Sequence, residues 1–162
     1  MPNWAEGVLK IRGTRQDIKK FLMEGLSPLN PFGGIAMLMG KETDPPEVQL
    51  KEDEWDLNMS APHGFYIEGT RRAFIEGGIT WDFDDKHIEI LTIEDFKQAW
   101  AVITENFVDI SEKFNLDIKI YAFEYGMEFN QDIEIHKGKV IRDNEITFDD
   151  YQWECLYPNL GG

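Results

Sequence analysis

Apolar and polar positions first alternate at residues 8–12. Leu9 and Ile11 point one way and Val8, Lys10 and Arg12 the other, the two-residue period of a half-buried strand. Gly13 ends it. Thr14 then reads as an N-cap with Asp17 three residues on, a capping-box-like pair. The helix predicted over Arg15 to Glu24 lines up Ile18, Phe21 and Leu22, and Gly25 is its stop. From Ser27 to Pro62 the pattern loosens under Pro28, Pro31, Gly33, Gly34, Gly40, Pro45 and Pro46. This stretch, residues 27–62, reads as an insertion on the core fold, of a length that is often functional or mobile. Its short apolar piece, Ile35 to Met39, is expected to pack as a strand or a helical turn.

Regular patterning resumes with strands predicted at Phe65 to Ile67, Ala73 to Ile75, Ile79 to Phe83 and His87 to Leu91. Thr92 then reads as the cap of the strongest helix in the chain, with Asp95 at N3 and Leu91 stapled on Phe96. Phe96, Ala99, Trp100, Ile103, Phe107, Ile110 and Phe114 follow at three- and four-residue steps, a wide apolar stripe ending near Asn115. Leu116 to Phe123 alternates as a strand with one buried face. Met127 to Ile135 and Lys139 to Ile141 flank a hairpin-like turn at His136-Lys137-Gly138, and Ile146 to Phe148 adds a last strand. The order fits an α+β fold. It is read as a ferredoxin-like β-α-β-β-α-β core in one domain, 1–162, with the loop insertion after helix 1. A C-terminal β-meander, from about residue 126 to 162, would extend the sheet.

Composition changes this picture mainly through charge. The formal net charge is −15, from 31 Asp plus Glu against 16 Lys plus Arg, which repels phosphate at long range and attracts basic partners. With 42% hydrophobic residues and 13% aromatics in 162 residues, the chain can bury a core. Cys155 is the single cysteine, no apolar run approaches membrane-spanning length, and the N-terminal residues lack a signal-peptide pattern; together these point to a reducing cytoplasm.

Several residues are similar to a known family. Pro2-Asn3-Trp4, the strand ending Ile11-Arg12-Gly13 before a helix, and Tyr125-Gly126-Met127-Glu128-Phe129 followed by Gly138 resemble the YubB-like ferredoxin-fold proteins of phages and plasmids. The resemblance spans most of the chain and is thin in the insertion. It implies a ferredoxin-like domain and a mobile-element setting, without a particular activity. Ala5 stands where members often carry Cys, and Ile90 to Ile93 replaces the family's Trp-Ser-Pro-Pro turn. Trp4 is expected to be a core anchor beneath the sheet.

No catalytic constellation emerges, and no cofactor or metal is expected. His63, His87 and His136 lack zinc spacing, and Asp82-Phe83-Asp84-Asp85 lacks the calcium-loop glycine and distal Glu. Cys155 beside Glu154 is a poor nucleophile, and no Gly-rich phosphate loop is present. The chain therefore reads as a non-enzymatic acidic protein-binding module. Its expected partner is a basic nucleic-acid-processing or defence protein, inhibited by charge mimicry. The contact residues would be Glu52, Asp53, Glu54, Asp82, Asp84, Asp85, Asp149, Asp150 and Trp153. The alternative is a nucleic-acid-binding accessory protein using the sheet face near Phe65 to Phe74, with Tyr66, Arg71 and Arg72 as contacts.

Overall fold

The computed structural model describes residues 2–162. The fold is α+β and mostly antiparallel. The main sheet has eight strands in the order β11-β10-β9-β1-β8-β6-β5-β2, and β3-β4-β7 form a second, three-stranded sheet. In chain order the elements are β1 (Trp4–Gly13), α1 (Arg15–Glu24), β2 (Leu26–Pro28), α2 (Gly33–Leu38), β3 (Gln49–Glu52), β4 (Asp56–Ser60), β5 (Phe65–Ile67) and β6 (Ala73–Ile75). They continue with β7 (Ile79–Asp82), β8 (Glu89–Ala99), α3 (Thr104–Phe114), β9 (Asp117–Glu124), β10 (Phe129–His136), β11 (Lys139–Thr147) and α4 (Tyr151–Glu154).

The first helix forms as its residues dictate. The Thr14 hydroxyl accepts the Asp17 N–H at 3.1 Å, Ile18, Phe21 and Leu22 are buried, and the Gly25 N–H closes on Phe21 O. On β1 the alternation buries Ala5, Leu9 and Ile11, which face α1 and α3, while Trp4, Val8, Lys10 and Arg12 face away. Gly7 is required on the buried face, because a Cβ there would lie 2.0 Å from Tyr121 O of the neighbouring β9. Phe21 of α1 meets Phe114 of α3 edge-on at 5.5 Å, so the two helices close one face of the main sheet. The small sheet adds Leu57, Met59, Ile79 and Trp81 to the same core. The other face is open except at β9 and β10. There Tyr151, Cys155 and Phe148 pack on Phe123 and Tyr121.

Three expectations are corrected. The helix predicted from Thr92 is instead strand β8 as far as Ala99, and α3 begins only at Thr104 with Ile103 as its N-cap. The reason is a β-bulge. Gly7 pairs with Phe96 and Leu9 with Ile93, so three steps on β8 oppose two on β1. That extra residue breaks the strand's two-residue period with an i, i+3 step from Ile93 to Phe96. The strand end at Ala99, the turn at Trp100 and the cap of α3 at Ile103 add further three- and four-residue steps, so that strand end and true helix read as one stripe. Residues 27–62 are also more regular than expected, since they contain α2, β3 and β4 and form two strands of the small sheet. Within them α2 buries no residue, leaving Phe32, Ile35, Met37, Leu38 and Met39 exposed. Finally, Trp4 is not a core anchor: it is only partly buried and lies on the open face. Among the described residues, no helix is long and apolar enough to cross a membrane.

Candidate functional site

Aromatic and basic side chains gather on the open face where β5, β6, β8 and β1 meet. Tyr66 pairs across the sheet with Phe74, and Phe74 with Lys97, so all three project away from the helices. The Phe74 ring lies 5.8 Å from both Tyr66 and Trp4, in tilted and edge contacts. Lys97 Nζ stands 4.6 Å above the Trp4 ring and is also ion-paired to Glu76. Above them, the Arg71 and Arg72 guanidinium carbons each lie 5.4 Å from the ring of Trp100, and that of Arg72 lies 5.6 Å from Trp4. Among the described residues neither arginine forms an ion pair.

The backbone beneath this cluster is strained and firmly held. Arg72 has φ 56° and Trp100 φ 67°, the left-handed region that a bulky residue enters only when its surroundings compel it. What compels it is a buried polar network. Gln98 is fully buried, and its Nε2 donates to Arg71 O at 2.9 Å and to Asn106 Oδ1 at 3.2 Å. Its Oε1 accepts the Ile103 N–H at 3.1 Å, and Asn106 Oδ1 accepts the Arg71 N–H at 3.1 Å. Gln131, also buried, accepts from Val102 N–H at 2.7 Å and donates to Val102 O at 3.2 Å. The Trp100 N–H donates to Asn3 O at 2.7 Å and the Ala99 N–H to Arg72 O at 3.1 Å. The Arg71-Arg72 turn and the Trp100 turn are thus one fixed unit. Trp100 remains 47% exposed, so the network holds an apolar plane and two cations toward solvent. Such a unit can stack a planar group and neutralise an anion beside it.

The acidic residues expected to bind a partner are divided. The small sheet brings six of them together. Asp56 pairs with Asp82 across β4 and β7, and Phe83 N–H donates to Trp55 O, so Glu52, Asp53 and Glu54 adjoin Asp82, Asp84 and Asp85. Asp53 Oδ1 caps this turn by accepting from Trp55 and Asp56, which holds its carboxyl below the usual range. Glu52 pairs with Lys19 and Asp84 with Lys86. Asp149, Asp150 and Trp153 lie elsewhere, at α4, which packs through Tyr151 on the open face of the main sheet, the side away from the small sheet. Asp150 caps α4, and Trp153 is exposed.

No protein-family model, curated protein or solved structure matches this chain. Among the described residues, no three His, Cys, Asp or Glu side chains are grouped to hold a metal ion. Of the nucleic-acid contacts read from the sequence, Tyr66, Arg71 and Arg72 do come together. Trp4, Lys97 and Trp100 were missed as site residues, because Trp100 fell into an apparent helical stripe and Trp4 into an apparent core. One signal was available: Leu91, Ile93, Phe96 and Gln98 also read as one face of a bulged strand.

Proposed function

We propose that this protein binds single-stranded nucleic acid on the open face of its main sheet. Bases would stack on Trp100 and Trp4, and phosphates would meet Arg71 and Arg72. The observation that carries this reading is the pair of arginines on an exposed Trp100 whose strained backbone is locked by Gln98 and Asn106. Exposed bases on single strands are recognised by such aromatic and guanidinium planes, at about 1–3 kcal/mol per stacked base. The net charge of −15 opposes approach from a distance. At physiological salt, however, charges beyond about 8 Å are largely screened, which favours the groups at the contact itself.

A fold reading supports the same face. We propose a ferredoxin-like core in β9-β1-β8-β6, with α1 following β1 and α3 joining β8 to β9. The mobile-element setting of the YubB-like proteins is proposed with it. The test is fluorescence anisotropy of labelled 12-nucleotide oligo(dT) and oligo(U) against a duplex of equal length. Single strands should bind more tightly than duplex, and Arg71→Ala/Arg72→Ala should lose tenfold or more while its melting temperature falls by only a few degrees. Absence of binding at low salt, or equal binding by the double variant, refutes the reading.

One observation favours a second reading. Trp55 is 71% exposed in the midst of the acidic groups at the end of the small sheet, a suitable anchor for a basic protein. A salt-sensitive partner whose capture survives Trp55→Ala would exclude it.

A further inference from the structure

Farther along the open face, a shallow cleft of ≈ 100 Å³ lies between the ends of β1, β8, β9 and β10. Lys10 and Lys119 stand directly opposite each other in the β1–β9 register. Like charges so placed repel. Among the described residues neither lysine has an ion pair or a side-chain hydrogen bond. The carboxylates in the cleft are already engaged. Asp117 is held by Arg12 at 2.7 Å, and Glu134, although across from Lys119, is held by His136 at 2.7 Å and lies 3.6 Å from Arg142. Two cations therefore face solvent side by side without a bonded partner, Lys119 having only the field of Glu134 across from it. Ile90, 57% exposed, forms an apolar wall beside them.

We infer that this cleft is a second phosphate-binding position, reached by the same single strand that stacks on Trp100; the inference rests on the reading of that site. Trp4 and Lys10 share β1 and the same face, six residues apart, which is about 20 Å of strand. Single-strand binding surfaces commonly engage about 4–16 nucleotides, so one strand spans both positions. Its path is limited by the C-terminal residues. The Tyr157 ring packs on Phe123 at 5.6 Å and covers β9 near its end. Between the two positions the same face carries Glu6, the half-buried Val8 and the exposed Thr92. A phosphate between Lys10 and Lys119 relieves their repulsion, which gives the cleft its preference for an anion.

The experiment compares oligo(dT) of 4 and 12 nucleotides on the wild-type protein, Lys10→Ala/Lys119→Ala and Trp100→Ala, by anisotropy across a salt series. The two lysines are exposed, and thermal melting checks that the variant folds. The lysine variant should bind the 12-mer about tenfold more weakly and bind the 4-mer as the wild type does. Its slope of log affinity against log salt should fall by about 1.4 for the two lost phosphate contacts. If the lysine variant matches the wild type on the 12-mer while Trp100→Ala loses binding, the cleft is not a phosphate site and the Trp100 reading stands. If neither oligomer binds the wild type, both readings fall.

Discussion

Trp100 is held in left-handed backbone by groups it does not itself supply, and this makes an unusual demand on two substitutions. Trp100→Ala and Trp100→Gly remove the same side chain. At 47% exposure, Trp100 buries on the order of 100 Å², worth about 2.5 kcal/mol as an upper value, and its two cation–π contacts add about 1 kcal/mol. Both variants forfeit this. They differ at φ 67°, where an L-residue carries a cost of about 1–2 kcal/mol that glycine does not. Glycine's greater freedom in the unfolded chain returns about 0.5–1 kcal/mol of that difference. Trp100→Gly should therefore be more stable than Trp100→Ala by roughly 0.5–1 kcal/mol, the reverse of the usual order. Urea unfolding followed by circular dichroism resolves such a gap as a midpoint difference of about 0.3–0.5 M. Both variants should lose oligonucleotide binding alike, since the ring and not the backbone would touch a base. If the alanine variant is as stable as the glycine variant, the turn is not left-handed in solution and the claim of a locked, strained platform fails.

Further outcomes follow from the same contacts. Gln98→Leu keeps the volume but leaves the part-buried Arg71 O and Ile103 N–H without their partner; it should cost about 1–3 kcal/mol and raise amide exchange at Ile103 above that of β9. Wild-type-like exchange at that amide would show that Gln98 does not hold the turn. Glu134 is kept below the ordinary glutamate range chiefly by its hydrogen bond with His136, with Lys119 and Arg142 adding to the effect. Its folded value being depressed, it stabilises the fold above the unfolded value and loses that contribution as pH falls through the folded one. Glu134→Gln should flatten the acid limb of a stability–pH curve measured by urea midpoints, and an unchanged limb would refute this.

What residues 8–25 become is settled locally. Alternation at Leu9 and Ile11, the Thr14 cap and the Gly25 stop each act within a few residues, and β1 and α1 form where those signals lie. The hairpin at His136-Lys137-Gly138 is equally local, with Lys137 at φ 47° and Gly138 at φ 82°. The strands at Phe65–Ile67 and Ala73–Ile75 match their alternation as well. Charge and composition likewise belong to the sequence.

The state of residues 92–103 was decided by tertiary structure. Their apolar spacing satisfies a helix and a bulged strand equally, and only pairing with β1, a partner more than eighty residues away, selects the strand. The candidate site has the same origin. Trp4, Tyr66, Arg71, Arg72, Lys97 and Trp100 come from separate segments, and nothing in the spacing of any one segment brings them to one face. The order β5-β6-β8-β1 does so, and the Gln98 network then fixes the turns that carry them. The acidic residues illustrate the converse, because the small sheet gathers six of them while α4 takes the other three-residue group to the opposite side of the main sheet. Local propensity acts over a few residues, whereas the meeting of distant segments depends on strand order and register, which are properties of the packed chain.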